Sequence, residues 1–363
     1  MRTLKQLTVN NFKSIKSQSL DLGHLNVFIG GNGSGKSNLI GVFHFLNRII
    51  NGELQAHVGA VGGADSILHF GRRHSSSLSM SLRFEKGSIA NGYDFTLMPT
   101  ADDSFIFRNE AMWFQDLGQY KVPYDISLGS GQKEANIRTA KQPMAAYVRA
   151  DLESYRIYHF HDTSSDAKVK QTGDLDDNRI LKADAGNLAA FLFLLQERYP
   201  THFANIQDTI KQIAPFFESL QLAPSALNPD KIRFEWKEKG SDTYFNAHAL
   251  SDGTLRFICL ATLLLQPNLP SLVLLDEPEL GLHPAAITLL AALLESAAQR
   301  AQVLIATQSV TLVNQFTPEE VWVVDRDHGE SNFEHLREND LTSWLDGYAL
   351  GELWEKNVLG GRP

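Results

Sequence analysis

The residues best suited to chemistry in this chain are "GGNGSGKS" (residues 30–37), a glycine-rich run that closes on a lysine and a serine. Spacing of the form G-x-x-x-x-G-K-[ST], after a strand-like segment and before a helix-like one, is that of a loop wrapped around phosphate. Its glycines let backbone N–H groups turn towards phosphate oxygens, and the following helix adds positive potential at its N-terminus. Asn32, Gly33, Ser34, Gly35, Lys36, Ser37 and Asn38 are the candidate nucleotide contacts. Lys36 is suited to bridge the β- and γ-phosphates and the Ser37 hydroxyl to ligate Mg²⁺, so ATP with Mg²⁺ is the expected cofactor pair. A chance glycine loop is the alternative, and the flanking elements argue against it.

Three further groups have chemical character. "SLVLLDEPELGLHP" (residues 271–284) is an apolar strand ending in Asp276 and Glu277. An acidic residue at the carboxyl end of a parallel strand can hold Mg²⁺ beside a phosphate loop, which assigns Asp276 to the metal. Glu277 is then the catalytic candidate that orients or deprotonates the attacking water, a role typically worth about 10²–10⁴-fold; the alternative is a pair of surface acids. "ALSDGTLRFICLATLLL" (residues 249–265) starts a helix at Ser251, Asp252, Gly253 and Thr254, with free N–H groups that form a second anion site or simply cap the helix. "VLIATQSV" (residues 303–310) carries Gln308 after a strand, where its amide can donate but cannot titrate. Gln308 is the second catalytic candidate; the alternative is a cap on the next helix.

Weaker groups carry two readings each. Phe12 and Lys13 in "NNFKSIKS" lie near an adenine or belong to a strand edge packed on the core. His159, His161 and Asp162 in "YHFHDTS" hint at a metal, but no second cluster completes a site, and a structural strand is preferred. "VVDRD" (residues 323–327) reads as a strand running into a turn rather than as a nuclease's acidic pair. Trp344, Leu345, Tyr348, Leu353 and Trp354 give the C-terminal segment an apolar face, which docks on the parent domain or binds a partner.

Elements must position these groups. "LKQLTVNNF" and "LNVFIG" read as strands; Leu39, Ile40, Phe43, Leu46 and Ile50 recur at helical spacing, and Asn51–Gly52 stops that helix. "SLSMSLRF" and "GYDFTLMP" suggest an antiparallel meander, whereas residues 100–180 are polar and hard to read. "RIYHFHDTS" looks like a strand, residues 185–199 and 201–213 like helices, and residues 231–247 like a hairpin turning at Gly240. The last third alternates buried strands and helices, hence a parallel sheet, with Pro284 opening one helix. No sustained heptads separate the two ends, so no long coiled coil is expected.

The bulk properties bound the function. At 363 residues the chain suits about two domains or one large domain with an insertion. Its net charge of −9 argues against a surface basic all over, though Lys133, Arg138, Lys141, Arg149 and Arg156 could line a local nucleic-acid groove. A single cysteine, Cys259, excludes an intramolecular disulfide and reads as core packing. No apolar run is long enough to span a bilayer and no signal peptide is visible, so a cytoplasmic protein is expected.

Taken together, the phosphate loop, "LSDGT" and "DEPELGLHP" resemble the nucleotide-binding heads of ABC-type ATPases, in the SMC/RecF/OLD-like branch and its small bacterial AAA_21-like members. "NNFKSI" and "ATQS" share in that resemblance, which covers about residues 1–90 and 245–325. It implies an α/β head of antiparallel meander plus parallel core, with an inserted, partly helical lobe. The implied division is 1–99, 100–230 and 231–363. It makes Ser251, Asp252 and Gly253 a signature motif, usually LSGGQ, that touches the γ-phosphate held by a second copy, so that two heads dimerise over two ATP molecules. Gly281 and His283 fall in the D-loop, and Gln308 stands where histidine is common. The implied activity is ATP hydrolysis coupled to movement, acting on a separate effector protein or on DNA, with bacterial anti-phage defence as a setting. The alternative is a nucleotide-gated sensor with little turnover. A transporter motor would require a membrane partner and is disfavoured.

Overall fold

The computed structural model describes residues 2–345 and 347–362. The chain divides into two compact units: Met1–Ile157, Pro270–Leu274 and Ala301–Pro363 form the first, Tyr158–Leu269 and Leu275–Arg300 the second.

In chain order the strands and helices up to the boundary are β1 (Thr3–Phe12), β2 (Ile15–Asp21), β3 (Leu25–Ile29), α1 (Lys36–Asn51), α2 (Leu54–Ala60), β4 (Leu78–Lys86), β5 (Ile89–Pro99), β6 (Phe105–Asp116), β7 (Tyr124–Gly129), α3 (Pro143–Ser154) and β8 (Arg156–Tyr158). There follow β9 (Gly173–Asp174), α4 (Leu188–Arg198), α5 (Pro200–Ile213), β10 (Phe217–Leu220), β11 (Lys231–Ile232), β12 (Glu235–Glu238), β13 (Tyr244–Asn246), α6 (Asp252–Leu265), β14 (Leu272–Asp276) and α7 (Pro284–Ala298). The chain then adds β15 (Gln302–Thr307), α8 (Val310–Val313), β16 (Val321–Asp327), β17 (Glu330–His335), α9 (Glu338–Leu345) and α10 (Leu350–Glu355).

The first unit's antiparallel sheet runs β2-β1-β4-β5-β6-β7. Alternation writes it: β4 buries Leu78, Met80, Leu82 and Phe84 while the residues between them are half-buried. The meander does not stop at residue 99, because β6 and β7 extend the same sheet and pair, for example, Met112 with Ile126. The expected boundary at 99/100 thus falls inside a sheet. Its continuation is hard to read because no residue of β7 is fully buried, which erases the period. β2 also escapes the sequence reading, since its polar run "IKSQS" has little alternation.

A second sheet runs β17-β16-β3-β15-β14-β8. β15 and β16 lie parallel to β3, and every residue of β3 and β15 is buried, the mark of strands covered on both faces. One apolar core joins Phe43, Phe45, Leu46 and Ile49 of α1 to Leu82 and Phe95 of the meander and to Leu304 and Trp322 of the second sheet. Burial of each such side chain contributes about 1.5–3 kcal/mol, which fixes α1 and so the loop that opens it. Gly52, in the left-handed conformation at φ 73°, ends α1 as expected.

In the second unit, α4 and α5 match their predicted spans closely. The predicted hairpin is real but shorter: β12 pairs with β13 around Gly240, while Lys231 and Ile232 pair instead with β9. Trp236 anchors the hairpin between Phe217 and Phe245, with ring centroids at 6.1 and 5.2 Å. The strand expected over "RIYHFHDTS" stops at Tyr158, and the His159 N–H donates instead to Ala183 O. The longest helix among the described residues has 16 residues, and none is long and apolar enough to cross a membrane.

The C-terminal segment docks on its own unit. Leu353 and Trp354 are fully buried, the Trp354 indole donates to Gly361 O at 2.6 Å, and Gly351 N donates to Asn314 Oδ1 just after α8. Trp344 and Tyr348 remain exposed, and the Leu345 side chain lies outside the described residues.

Candidate functional site

The phosphate loop links β3 to α1 in the first unit. Gly33 and Gly35 take positive φ values of 78° and 122°, which an L side chain rarely adopts. A Cβ on Gly35 would lie 2.0 Å from Ser331 Oγ, and one on Gly30 would lie 2.2 Å from Val324 O, so the loop needs glycine for space as well. Lys36 is buried, and its ammonium donates to the carbonyls of Gly30 and, at 3.1 Å, Gly31. Asn32, Gly33 and Ser37 are exposed, whereas Ser34 and Gly35 are buried.

A chain of hydroxyls braces this loop from below. Asn38 Nδ2 donates to Ser14 Oγ at 2.6 Å, and Ser331 Oγ donates to Ser34 O at 2.6 Å. Ser331 has thereby used its one proton, so Ser14 must donate across the 2.6 Å contact between the two hydroxyls. Neither serine was singled out in the sequence; Ser14 within "NNFKSI" is the one that a motif could have flagged. Arg326 adds a 3.3 Å bond to Gly33 O, which places the "VVDRD" strand and its hairpin turn beside the loop. Gln308 Nε2 donates to Asn32 Oδ1 at 2.9 Å, and it is Ser309, not Gln308, that caps α8. The glutamine thus belongs with the phosphate loop.

The second unit gathers the other candidates. Ser251 caps α6, its hydroxyl accepting from Thr254 N at 3.2 Å. Gly253 stands so close to the turn at Gly281 that a Cβ on it would lie 2.4 Å from Gly281 O. His283 caps α7, accepting the Ala285 N–H at Nδ1 with Pro284 in the first turn. Ser251, Gly253, Gly281 and His283 line one cleft of about 220 Å³. Asp252 does not line that cleft. It faces Lys170 at 3.5 Å, whose ammonium also donates to Thr163 O and whose side chain is only 8% exposed.

Asp276 ends β14, and Glu277 follows at φ 41°, a strained conformation for a non-glycine residue of the kind concentrated at functional sites. His161 Nε2 lies 2.7 Å from Asp276 O; a carbonyl only accepts, so Nε2 carries the proton. His159 stands close by, and burial holds its imidazole below the ordinary value while the Asp276 carboxylate opposes that shift. His161 therefore orients the end of β14, and no group of three or more His, Cys, Asp or Glu that could hold a metal occurs among the described residues. Arg256, the sole charged residue in the apolar run of α6, was missed. Its guanidinium donates to Phe160 O at 3.0 Å, to His161 O at 2.8 Å and to Leu280 O, tying α6, the segment that touches Asp276 and the turn at Leu280–Gly281 into one piece.

Several weaker candidates take structural places. Phe12 is buried at 2% exposure against Phe45, so it belongs to the core. Among the basic residues, Arg149 donates to Ile137 O and Ala140 O, Arg156 to Glu153 O and Tyr155 O, and Arg138 packs on Gly52. Cys259 is buried.

Residues 25–314 match the family model described as "AAA domain, putative AbiEii toxin, Type IV TA system". No curated protein matches the chain in sequence. Among solved structures it is similar to an Smc head bound to the C-terminal winged-helix domain of ScpA, with TM-score 0.62, 15% identity, and 94% of this chain and 99% of that one covered. It is also similar to a Pyrococcus furiosus Smc head with an extended coiled coil bound to the C-terminal domain of ScpA, with TM-score 0.56, 14% identity and coverage of 95% and 99%. At such identities the likeness speaks for the fold alone. The family match takes in the phosphate loop, the serine-led helix, the acidic pair and Gln308: the chain belongs to the AAA_21 family, and its fold is that of SMC heads.

Proposed function

We propose that this chain binds and hydrolyses ATP with Mg²⁺, that two copies close over two ATP molecules, and that hydrolysis parts them. The observation that carries the reading is that the chain holds two preorganised anion-receptive ends. One is the glycine loop that opens α1; the other is the Ser251-capped tip of α6, which lines an open cleft with Gly253, Gly281 and His283. A single chain needs only one such end to hold its own nucleotide. The second is accounted for by the nucleotide of a twin.

In this scheme the Lys36 ammonium exchanges the Gly30 and Gly31 carbonyls for phosphate oxygens. Ser37 and Asp276 are the proposed Mg²⁺ ligands, and their hydroxyl and carboxylate are the hard oxygen donors that this ion prefers. The metal, with its nucleotide, would neutralise charge on the transferring phosphoryl group. Glu277 orients the attacking water and accepts its proton, and Gln308 hydrogen-bonds at the terminal phosphate. Ser251 and Gly253 offer donors to the partner's γ-phosphate. The closing motion would act on a separate effector protein or on DNA in the cytoplasm, with defence against phage as the setting suggested by the toxin-system description of the family.

Sizing chromatography with ATP and Mg²⁺ tests the scheme: Glu277→Gln should run as a nucleotide-bound dimer and Lys36→Ala should bind ATP poorly. A monomeric Glu277→Gln loaded with ATP would reject it. Steady-state turnover with and without DNA then distinguishes a coupled ATPase from a slow nucleotide-gated sensor. A DNA affinity that does not fall with salt would argue against phosphate contact.

A further inference from the structure

We infer that Phe70 is the platform on which the base of the bound nucleotide stacks, an assignment that rests on the phosphate-loop reading and extends it to the nucleoside. Phe70 is 54% exposed, which is unusual for a phenylalanine, and it holds φ 52°, a conformation that bulky side chains adopt only where the surroundings over-determine it. Those surroundings are visible. The ring stands 4.3 Å from the His69 ring and 5.9 Å from that of His74, centroid to centroid. On another side lies Gly329, where a Cβ would come within 2.8 Å of Phe70 Cζ. One rigidly held aromatic surface is thus left open.

The segment that carries it is bolted to the phosphate loop. His69 N donates to Asn11 O at 3.1 Å, His69 Nδ1 meets Lys13 O at 2.6 Å, and Lys13 N donates to Ile67 O at 2.8 Å. Next to Lys13, Ser14 accepts from Asn38 in the first turn of α1 and joins Ser331, which holds the loop carbonyl of Ser34. The Gly329 turn reaches the loop as well, through Arg326 and Gly33. The other end of the loop is closed, because Val324 O crowds Gly30 and Arg362 O lies 2.5 Å from where a Cβ on Gly31 would stand. With the β- and γ-phosphates at Lys36, the nucleoside in this proposal lies past Asn38, whose side chain bonds Ser14 next to Lys13. Phe12 cannot serve there, since it is buried.

Stacking acts on the base and not on the phosphates, which gives the test its two arms. Phe70→Ala and Phe70→Leu should weaken ATP binding about tenfold or more while leaving inorganic tripolyphosphate affinity unchanged. Phe70→Trp should retain ATP affinity, and its fluorescence should be quenched by ATP and not by tripolyphosphate, relative to the wild-type signal. Wild-type ATP affinity in Phe70→Ala, or no ATP-specific quenching in Phe70→Trp, would overturn the assignment. If Lys36→Ala binds both ligands as the wild type does, the phosphate-loop reading itself fails, and Phe70 falls with it.

Discussion

Arg256 is the residue whose removal should most clearly separate nucleotide binding from nucleotide turnover. Its guanidinium serves three backbone carbonyls at once, of Phe160, His161 and Leu280. The first two bonds are part-buried and the third is exposed, where water can replace the lost donor. Bonds from a charged donor contribute about 1.5–3 kcal/mol each, so Arg256→Ala should destabilise this junction by about 3 kcal/mol, carried by the two part-buried bonds. Arg256→Lys keeps the charge but has no planar fork, so it should recover only part of that loss.

Hydrogen exchange reads this directly. An opening made easier by about 3 kcal/mol is roughly a hundredfold more populated, so amides over residues 277–283 and at the start of α6 should exchange that much faster in Arg256→Ala. ATP affinity should change little, because the phosphate loop belongs to the first unit, whereas turnover should drop at least tenfold as Ser251, Glu277 and Gly281 lose their mutual placement. Unchanged exchange over residues 277–283, or wild-type turnover in Arg256→Ala, would refute the reasoning.

Four other perturbations have definite expected outcomes. Gly35→Ala forces a Cβ onto Ser331 Oγ at a backbone angle that favours glycine, and it should abolish ATP binding in a calorimetric titration while the protein still folds. Glu110, fully buried, accepts from Tyr93, Gln132, Asn136 N and Ile137 N; Glu110→Leu strands two backbone donors and should cost about 2–5 kcal/mol in urea unfolding. Burial pushes the Cys259 thiol up to about 12, so iodoacetamide at neutral pH should label it only after denaturation. Burial, then Arg48 and Lys13, hold His57 below the ordinary imidazole value; the folded state therefore resists its protonation, stability is complete above about pH 6.5 and falls as pH drops through the folded value, and His57→Gln should flatten that slope in thermal melts.

What could be read from the sequence follows from what residue type encodes. Glycine at positive φ, serine at a helix start and an unbroken apolar strand are local signals, which is why the loop at 30–37, the cap at Ser251 and the parallel strands β3 and β15 were legible. The end of α1 at Gly52 was legible for the same reason. Strand β7 was not, because an exposed strand at a sheet edge loses its period, and β6 was not, because a bulge at Arg108 shifts its alternation between Phe107 and Glu110. The hairpin over residues 231–247 was half-legible: alternation located its aromatics but did not reveal that Lys231 and Ile232 pair with a ribbon strand near residue 173.

The same argument explains why Arg256 was missed while the residues of the phosphate loop could be named as candidates. Arg256 acts on backbone carbonyls, which every residue possesses, so no pairing of side-chain types announces it, and His161, singled out only for a metal, also acts on a carbonyl. The signal that could have pointed to Arg256 is the oddity of one arginine in an apolar helix. The departure at Asp252 has a related logic. An aspartate where the family pattern has glycine adds a negative charge at a helix tip suited to an anion, and alone it would oppose phosphate. Lys170, nearly buried and 3.5 Å away, supplies the opposite charge from a segment 82 residues earlier, a separation over which the sequence offers no visible link. The substitution and its counter-charge form one ion pair, so in the proposed scheme Asp252 does not stand in the way of Ser251 and Gly253 meeting the partner's phosphate.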